Sequence, residues 1–151
     1  MSFPGFVTGI ASFAEATSYD SFQQSAPNST TSNVWVEVAK FEATEAVLDG
    51  IYSVQWSMEA AQSKGGRNMG IQISVRPGDD ADGNAWVILN TNSGLQVPSD
   101  NARMQYSGFV EYDLLTEDVY QVRIEYGQTI SGGTQTLEEI DVVVFRVGDL
   151  P

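Results

Sequence analysis

The sequence predicts an all-β domain. Apolar and polar residues alternate in one run after another, as they do in strands with one face on a core and one in water. Turn-forming segments rich in Gly, Pro, Asn and Asp separate these runs. Strands and helices do not alternate as they would in a parallel sheet. We therefore expect an antiparallel two-sheet β-sandwich, jelly-roll-like, with an N-terminal arm.

The alternating runs define the expected strands. They cover residues 34–39, 52–58, 71–76, 104–115, 120–126 and 140–147. Together with shorter apolar runs, such as 86–89, they predict about seven to nine strands. Gly108 lies inside the run 104–115 and marks a candidate bulge, because glycine in a strand interior is typical of one.

Residues 1–33 differ from the rest of the chain in amino-acid composition. They are rich in Ser, Thr, Ala, Gly and Phe, and their only charged side chains are Glu15 and Asp20. We assign residues 1–33 to an N-terminal arm with a first short strand. Residues 34–151 form the expected β-sandwich domain.

Four apolar residues of the arm recur at spacings of three to four: Phe3, Phe6, Ile10 and Phe13. This spacing fits an amphipathic helix. Pro4, Gly5 and Gly9 disfavour a helix, so an extended arm with apolar anchors is the alternative. In either form these four residues are candidate interaction residues.

The chain of 151 residues contains no cysteine and no histidine. This excludes disulfides, a cysteine nucleophile, a Ser-His-Asp triad and a histidine-built zinc site. No glycine-rich phosphate loop or dinucleotide fingerprint is present either. We therefore expect a protein that is not an enzyme and that uses no cofactor.

The chain is strongly acidic, with 20 acidic and 7 basic side chains and a net charge of −13. Such a surface repels nucleic-acid phosphates and anionic membranes, so neither is an expected partner. No apolar run approaches the roughly 18 residues of a membrane span. The first ten residues lack the basic and apolar regions of a secretory signal. We expect a protein that either stays in the cytosol where it is made or leaves it by assembly into a particle or by lysis.

The most acidic segment is the loop 79–84, which contains three aspartates. Closely spaced carboxylates can gather oxygen ligands around Ca²⁺. The spacing does not match an EF-hand, because Gly83 comes before the position where the loop needs glycine and Thr91 stands where the bidentate acid is needed. A solvated turn is the simpler interpretation, since Asp and Gly are frequent turn residues.

Glu111 and Asp113 are two residues apart in one expected strand, so their carboxylates lie on the same face. Paired carboxylates carry out glycoside hydrolysis. The sequence shows no sign of a cleft opposite them. An outward polar face is therefore the favoured interpretation.

Trp35 is out of register with Val34, Val36 and Val38. If these valines face the core, Trp35 points outward, where it could anchor an interface or form a platform for a sugar. The alternative is a strand that is bulged or buried on both faces. The other aromatic residues considered are assigned to packing in the core: Trp56, Trp86, Tyr52, Tyr106, Tyr112, Tyr120 and Tyr126.

Four segments carry a recognisable strand pattern: residues 49–59, Ser107-Gly108-Phe109, Tyr120 to Tyr126, and the apolar residues 142–147. They resemble small virion proteins of tailed phages, which carry a Gly-x-Tyr-x-hydrophobic-x-Trp-Ser strand. Their order and spacing are also similar to the jelly roll of the TNF and C1q-like superfamily. The resemblance spans residues 45–147, and it departs from the pattern at Glu117-Asp118-Val119, where a glycine is usual.

The resemblance implies a jelly roll that assembles, commonly as a homotrimer, on a capsid or tail. The expected function is that of a capsid decoration or cement protein of a tailed bacteriophage, located in the virion and made in the host cytoplasm. Its expected partners are the major capsid protein and copies of itself. The absence of cysteine suits assembly in a reducing cytosol. The apolar arm suits docking on a shell or exchange between subunits.

Two other functions stay open. A carbohydrate- or receptor-binding β-sandwich, such as a tail-fibre domain, would present an exposed aromatic platform that includes Trp35. A carboxylate-based enzyme acting on glycans would need two acids about 5–10 Å apart in one cleft.

Overall fold

The computed structural model describes residues 19–115, 118–127 and 133–151. In these residues the chain forms nine strands: β1 Tyr19–Gln24, β2 Asn28–Thr30, β3 Val36–Glu42, β4 Gly50–Gln62, β5 Met69–Pro77, β6 Val87–Leu95, β7 Arg103–Leu114, β8 Tyr120–Gly127 and β9 Gln135–Gly148. The helical structure of this part of the chain is one 3₁₀ turn, Asp80–Asp82, which is far too short to cross a membrane.

The strands form two antiparallel sheets. Sheet A has the order β1-β9-β4-β7, with β2 also paired to β9, and sheet B has the order β3-β8-β5-β6. From β2 onward every connection crosses between the sheets, except the hairpin that joins β5 to β6. With β1 and β2 sharing one strand position, this is the eight-position jelly roll built from two Greek keys. The predicted jelly-roll-like, two-sheet β-sandwich is confirmed.

The inner faces of the two sheets enclose the core. Sheet A contributes alternate residues of β4: Tyr52, Val54, Trp56, Met58 and Ala60. Sheet B contributes alternate residues of β5 and β8: Ile71, Ile73, Val75, Val122 and Ile124. The tyrosines assigned to packing are confirmed, with three buried and two half-buried against the core: Tyr52, Tyr120 and Tyr126, then Tyr106 and Tyr112. The alternation in the sequence is thus the alternation of inward and outward side chains.

Trp56 and Gly108 face each other across β4 and β7. The pairing of these strands runs from Gly50 to Ala61 without a shift in register, so the bulge expected at Gly108 is wrong. A Cβ added at Gly108 would lie 2.7 Å from Cζ2 of the Trp56 ring. The glycine is needed because its missing side chain makes room for the buried indole.

Strand β1 is fastened to the core by Tyr120. Its hydroxyl donates a hydrogen bond of 2.5 Å to Oδ2 of Asp20, and its ring is buried next to Tyr52, with ring centroids 6.2 Å apart. Burial raises the pKa of the Tyr120 hydroxyl above its ordinary value, and the bond to Asp20 raises it further. The hydroxyl therefore stays protonated and continues to donate to β1.

Candidate interaction face

The outer face of sheet B is covered rather than open to water. Gln72, Ser74 and Gln121 point away from the core, yet the exposed fraction of each side chain is 7% or less. Gln72 donates to Oε1 of Glu125 at 3.0 Å and accepts from the hydroxyl of Thr91 at 3.0 Å. Over β5 and β8 this face is therefore closed by a polar layer, in which Gln72 is hydrogen-bonded on two sides and the hydroxyl of Ser74 has no hydrogen-bond partner among the described residues.

Trp86 belongs to this cover and not to the core. Two guanidinium groups lie against its ring, with Cζ of Arg76 4.4 Å and Cζ of Arg123 4.3 Å from the ring centroid. The side chain is half-buried, so the assignment of Trp86 to the core is wrong. The expected strand began at Trp86, but β6 begins at Val87. Trp86 is therefore not part of the sheet and packs on the guanidinium groups instead.

The acidic segment 79–84 folds as a capped turn. Asp79 and Asp82 form a capping box, in which each side chain accepts a hydrogen bond from the backbone N–H of the other. Asp80 is bound by Lys40 at 2.9 Å and by Arg76 at 2.8 Å. The turn interpretation is confirmed, and the described part of the chain contains no cluster of three or more potential metal ligands of the Asp, Glu, His or Cys type.

The ionised carboxyl of Asp80 makes the stability of the folded protein depend on pH. The hydrogen bond from Lys40, followed by that from Gln121, lowers the pKa of its carboxyl from 3.8 to about 2. A lowered pKa in the folded protein means that the stabilisation is present above pH 3.8 and is lost as the pH falls through about 2.

We expect Asp80→Asn to lower the melting temperature at pH 5, because the ion pairs with Lys40 and Arg76 are lost. The difference between the variant and the unsubstituted protein should shrink between pH 4 and about 2, where Asp80 of the latter becomes protonated. Thermal unfolding followed by circular dichroism at several pH values measures this. Glu45→Gln, at an exposed position, is the control, and an Asp80→Asn difference that stays constant down to pH 2 contradicts the expectation.

Trp35 lies immediately before β3 and is half-buried. The premise that Val34 and Val36 face the core is wrong, since these side chains are 60% and 38% exposed. The register of β3 against β8 shifts between Glu37 and Ala39, which confirms the alternative of a bulged strand. A role for Trp35 in an interface stays a prediction.

The other candidates from the sequence lie on an outward face of the sandwich or outside the described residues. Glu111 and Asp113 are both exposed on the outer side of β7, opposite Ser53 and Ile51 of β4. This confirms their position on an outward face. The four apolar residues of the arm, Phe3, Phe6, Ile10 and Phe13, lie outside the described residues.

The outer face of sheet A carries exposed apolar side chains. One row across it consists of Ser21, Val143, Gln55 and Phe109, which are paired in register from β1 to β7 and include no charged residue. Phe109 is 69% exposed. We call the outward side chains of this row and of the two rows beside it the Phe109 face: Tyr19, Ser21, Gln23, Ser53, Gln55, Ser57, Ser107, Phe109, Glu111, Asp141, Val143 and Phe145, of which Glu111 and Asp141 are acidic.

A shallow concavity of about 370 Å³ lies in the Phe109 face. It is bordered by Phe109 on one side and Val143 on the other. Ser57 and Ser107 face each other across β4 and β7 between these borders. Because serine side chains are small, the space above them forms the floor of the concavity, and larger side chains form its walls. The arrangement can accept an apolar group and offer it hydroxyl and amide neighbours.

Phe109 was not singled out as a candidate residue by itself, although the sequence contains a signal for it. Along β7 the outward positions hold Gln105, Ser107, Phe109, Glu111 and Asp113. Phe109 is the one large apolar side chain in this otherwise polar series. An aromatic residue on the polar side of an alternating strand is a sign of an interface anchor.

No protein-family model matches the sequence, and no curated protein matches it significantly. Among solved structures, the chain is similar to the Eiger TNF of S. frugiperda, with a TM-score of 0.52, 10% identity, and coverage of 90% of this chain and 94% of that one.

It is also similar to a chain in the structure of the infectious bursal disease virus Gx strain, with a TM-score of 0.51 and 10% identity. That match covers 87% of this chain and 32% of the viral one, so the chain spans about a third of the viral protein's length. Identity this low shows the fold alone. The chain therefore has a jelly-roll fold that a TNF and a viral protein also have, as the resemblance to the TNF and C1q-like superfamily implied.

Proposed function

We propose that this chain is a structural protein of virions, and specifically a capsid decoration or cement protein of a tailed phage. In this proposal it docks on the major capsid protein and on copies of itself, as a homotrimer. It acts by holding a shell together and not by catalysis. The observation that carries the proposal is the group of exposed apolar side chains on the Phe109 face, above all Phe109 itself.

The contrast between this face and the rest of the molecule supports a docking role. With a net charge of −13, the chain repels other copies over most of its surface. Tyr19 and Phe109 are 64% and 69% exposed, and Val143 and Phe145 between them are half-buried. Contiguous exposed apolar side chains on a soluble protein mark surfaces that another molecule covers.

The finer part of the proposal, a phage decoration protein, is supported by the strand motifs. Ser107-Gly108-Phe109 belongs to the pattern that resembles phage virion proteins, and the same three residues line the concavity in the Phe109 face. The jelly-roll fold shared with a chain of infectious bursal disease virus is compatible with a place in a particle. The trimer is what the resemblance implies.

Phe109→Ser is expected to weaken binding to shells at least about tenfold, since aromatic anchors dominate the energy of an interface. Co-sedimentation of the purified chain with capsids prepared without it measures the binding. Ile88→Ser is the matched control, because Ile88 is 56% exposed but lies on β6 of sheet B. If the unsubstituted chain does not sediment with the capsids, or if both variants lose binding equally, the proposal is wrong.

Carbohydrate binding is a second candidate, and the concavity favours it. Phe109 could stack on a sugar ring while Gln55 and Asp141 bond to its hydroxyls. The platform would then be Phe109 in place of the half-buried Trp35. A glycan array probed with the unsubstituted chain and with Phe109→Ala tests this candidate function. Carbohydrate binding predicts a signal for the unsubstituted chain that the substitution abolishes.

A further inference from the structure

The free edge of β7 is the feature from which we infer a specific partner. β7 is the last strand of sheet A, and one of its edges pairs with β4 along its whole length. No strand of the described residues pairs with its other edge. An unpaired edge offers a row of backbone N–H and C=O groups that another strand can bind.

We propose that a second copy of the chain pairs with this edge, β7 to β7 and antiparallel, with the twofold axis at Gly108. The inference rests on the proposed function, because it names a second copy as the molecule that meets the β7 side of the Phe109 face. In such a symmetric pair, each residue that follows Gly108 faces the residue at the same distance before Gly108 in the other copy. Outward side chains then meet outward ones, and inward side chains meet inward ones.

The charges along β7 are complementary in this register. Arg103 faces Asp113 of the second copy, and Gln105 faces Glu111 of the second copy. By symmetry each contact occurs twice. Arg103 contacts Glu59 at 2.7 Å, and also contacts Glu138, in both cases through Nη1. A guanidinium has five N–H donors, so one further carboxylate at this edge fits its hydrogen-bonding capacity.

Neighbouring registers fit less well. With the axis at Phe109, Arg103 faces the apolar Leu115, which is 73% exposed, and its carboxylate partner is lost. With the axis at Ser107, Arg103 still faces an acid, Glu111, but Asp113 extends past the end of the other β7 strand and Gln105 faces Phe109. Of these three registers, the axis at Gly108 is the one that pairs both Arg103 with an acid and Gln105 with an acid.

The shape of the face agrees with the same register. Phe109 faces Ser107 of the second copy, which borders the concavity of about 370 Å³. A phenyl ring can therefore lean over the small serine into that space. On the inner side, Tyr106 faces Val110 of the second copy, and both are half-buried in the single chain. The pairing covers the apolar side chains that the single chain leaves partly open to water.

A twofold contact at the edge is separate from a threefold one, so it can join a subunit of one trimer to a subunit of the next. Without trimers it gives a dimer. The contact can therefore be tested on the purified chain alone, in the absence of capsids.

Cysteine cross-linking tests the register directly, because the chain has no cysteine of its own. The double variant Gln105→Cys/Glu111→Cys leaves Phe109, Arg103 and Asp113 in place. In the proposed register the two introduced thiols face each other, with Cα atoms about 4.5–5.5 Å apart, which is within the reach of a disulfide. We expect most of this variant to run as a covalent dimer on a non-reducing gel after mild oxidation.

Three variants serve as controls. Each single variant, Gln105→Cys or Glu111→Cys, places its thiols six residues apart along the paired strands, about 20 Å, and should stay monomeric on the gel. Gln105→Cys/Asp113→Cys should also stay monomeric, since it links only if the axis lies at Phe109. Adding Phe109→Ser to the cross-linking pair should reduce the dimer several-fold.

Absence of the dimer in Gln105→Cys/Glu111→Cys, or equal cross-linking of the single variants, overturns the β7 pairing and leaves binding to capsids as a separate result. Cross-linking of the expected pair in a chain that does not bind capsids supports the pairing and overturns the proposed function. All these positions are exposed, and circular dichroism of each variant confirms that the sandwich is folded.

Discussion

Gly108→Ala is expected to destabilise the sandwich by about 1–3 kcal/mol, which is typical of overpacking a core. The new Cβ would lie 2.7 Å from Cζ2 of Trp56, and the indole is 4% exposed, so the ring has little space to move. A loss of about 2 kcal/mol lowers the melting temperature by roughly 4–8 °C in a protein of this size. Thermal unfolding followed by circular dichroism measures it.

Gly94→Ala is the matched control for this experiment. Gly94 also lies in a strand, β6, and the nearest atom to an added Cβ is Oδ1 of Asn92 at 4.0 Å. The same substitution should therefore be neutral or slightly stabilising, by at most about 1 kcal/mol. If the two variants melt at the same temperature, the space above Gly108 is not what the indole requires.

Tyr120→Phe is expected to destabilise the protein by about 1–3 kcal/mol, because it leaves the carboxylate of Asp20 without its buried donor. The effect should also depend on pH. Because the pKa of Tyr120 is raised in the folded protein, its contribution is complete below pH 10.0 and is lost as the pH rises further. The variant should lack that part of the decline at high pH.

Urea unfolding at pH 7 and at higher pH measures both effects. Tyr19→Phe is the control, since Tyr19 lies on the same strand as Asp20 but is 64% exposed. An unchanged stability of Tyr120→Phe would mean that β1 is held without the bond to Asp20.

Much of the fold is readable in the sequence because alternation is a local property. Trp56, Val122 of β8, and Val142 and Val144 of β9 fall on the inner faces that their runs predict. The predictions that are wrong depend on partners distant in the chain. Trp86 is placed by arginines of β5 and β8, and Val34 is exposed at a position before β3 begins. The alternation of residues within a single strand does not reveal the position of either side chain.

Part of the candidate site can be predicted from the sequence, and part cannot. That Phe109 stands on the polar side of β7 follows from alternation alone. That Val143 and Gln55 lie beside it follows from the register of β9 and β7 on β4, which only the paired structure supplies. The concavity depends on two serines from different strands, Ser57 and Ser107, being opposite one another. The Phe109 face therefore depends more on the register of β9 and β7 against β4 than on residue type.

The central claim of the proposed function is that the jelly roll works by contact with other protein surfaces through its Phe109 face. The most direct test is a protein inventory, made by quantitative mass spectrometry, of washed and purified particles of the phage to which the proposed function assigns the chain. The proposed function predicts that the chain is present in a fixed ratio to the major capsid protein. Its absence from the particles, with the protein found only in the lysate of infected cells, would contradict the proposal.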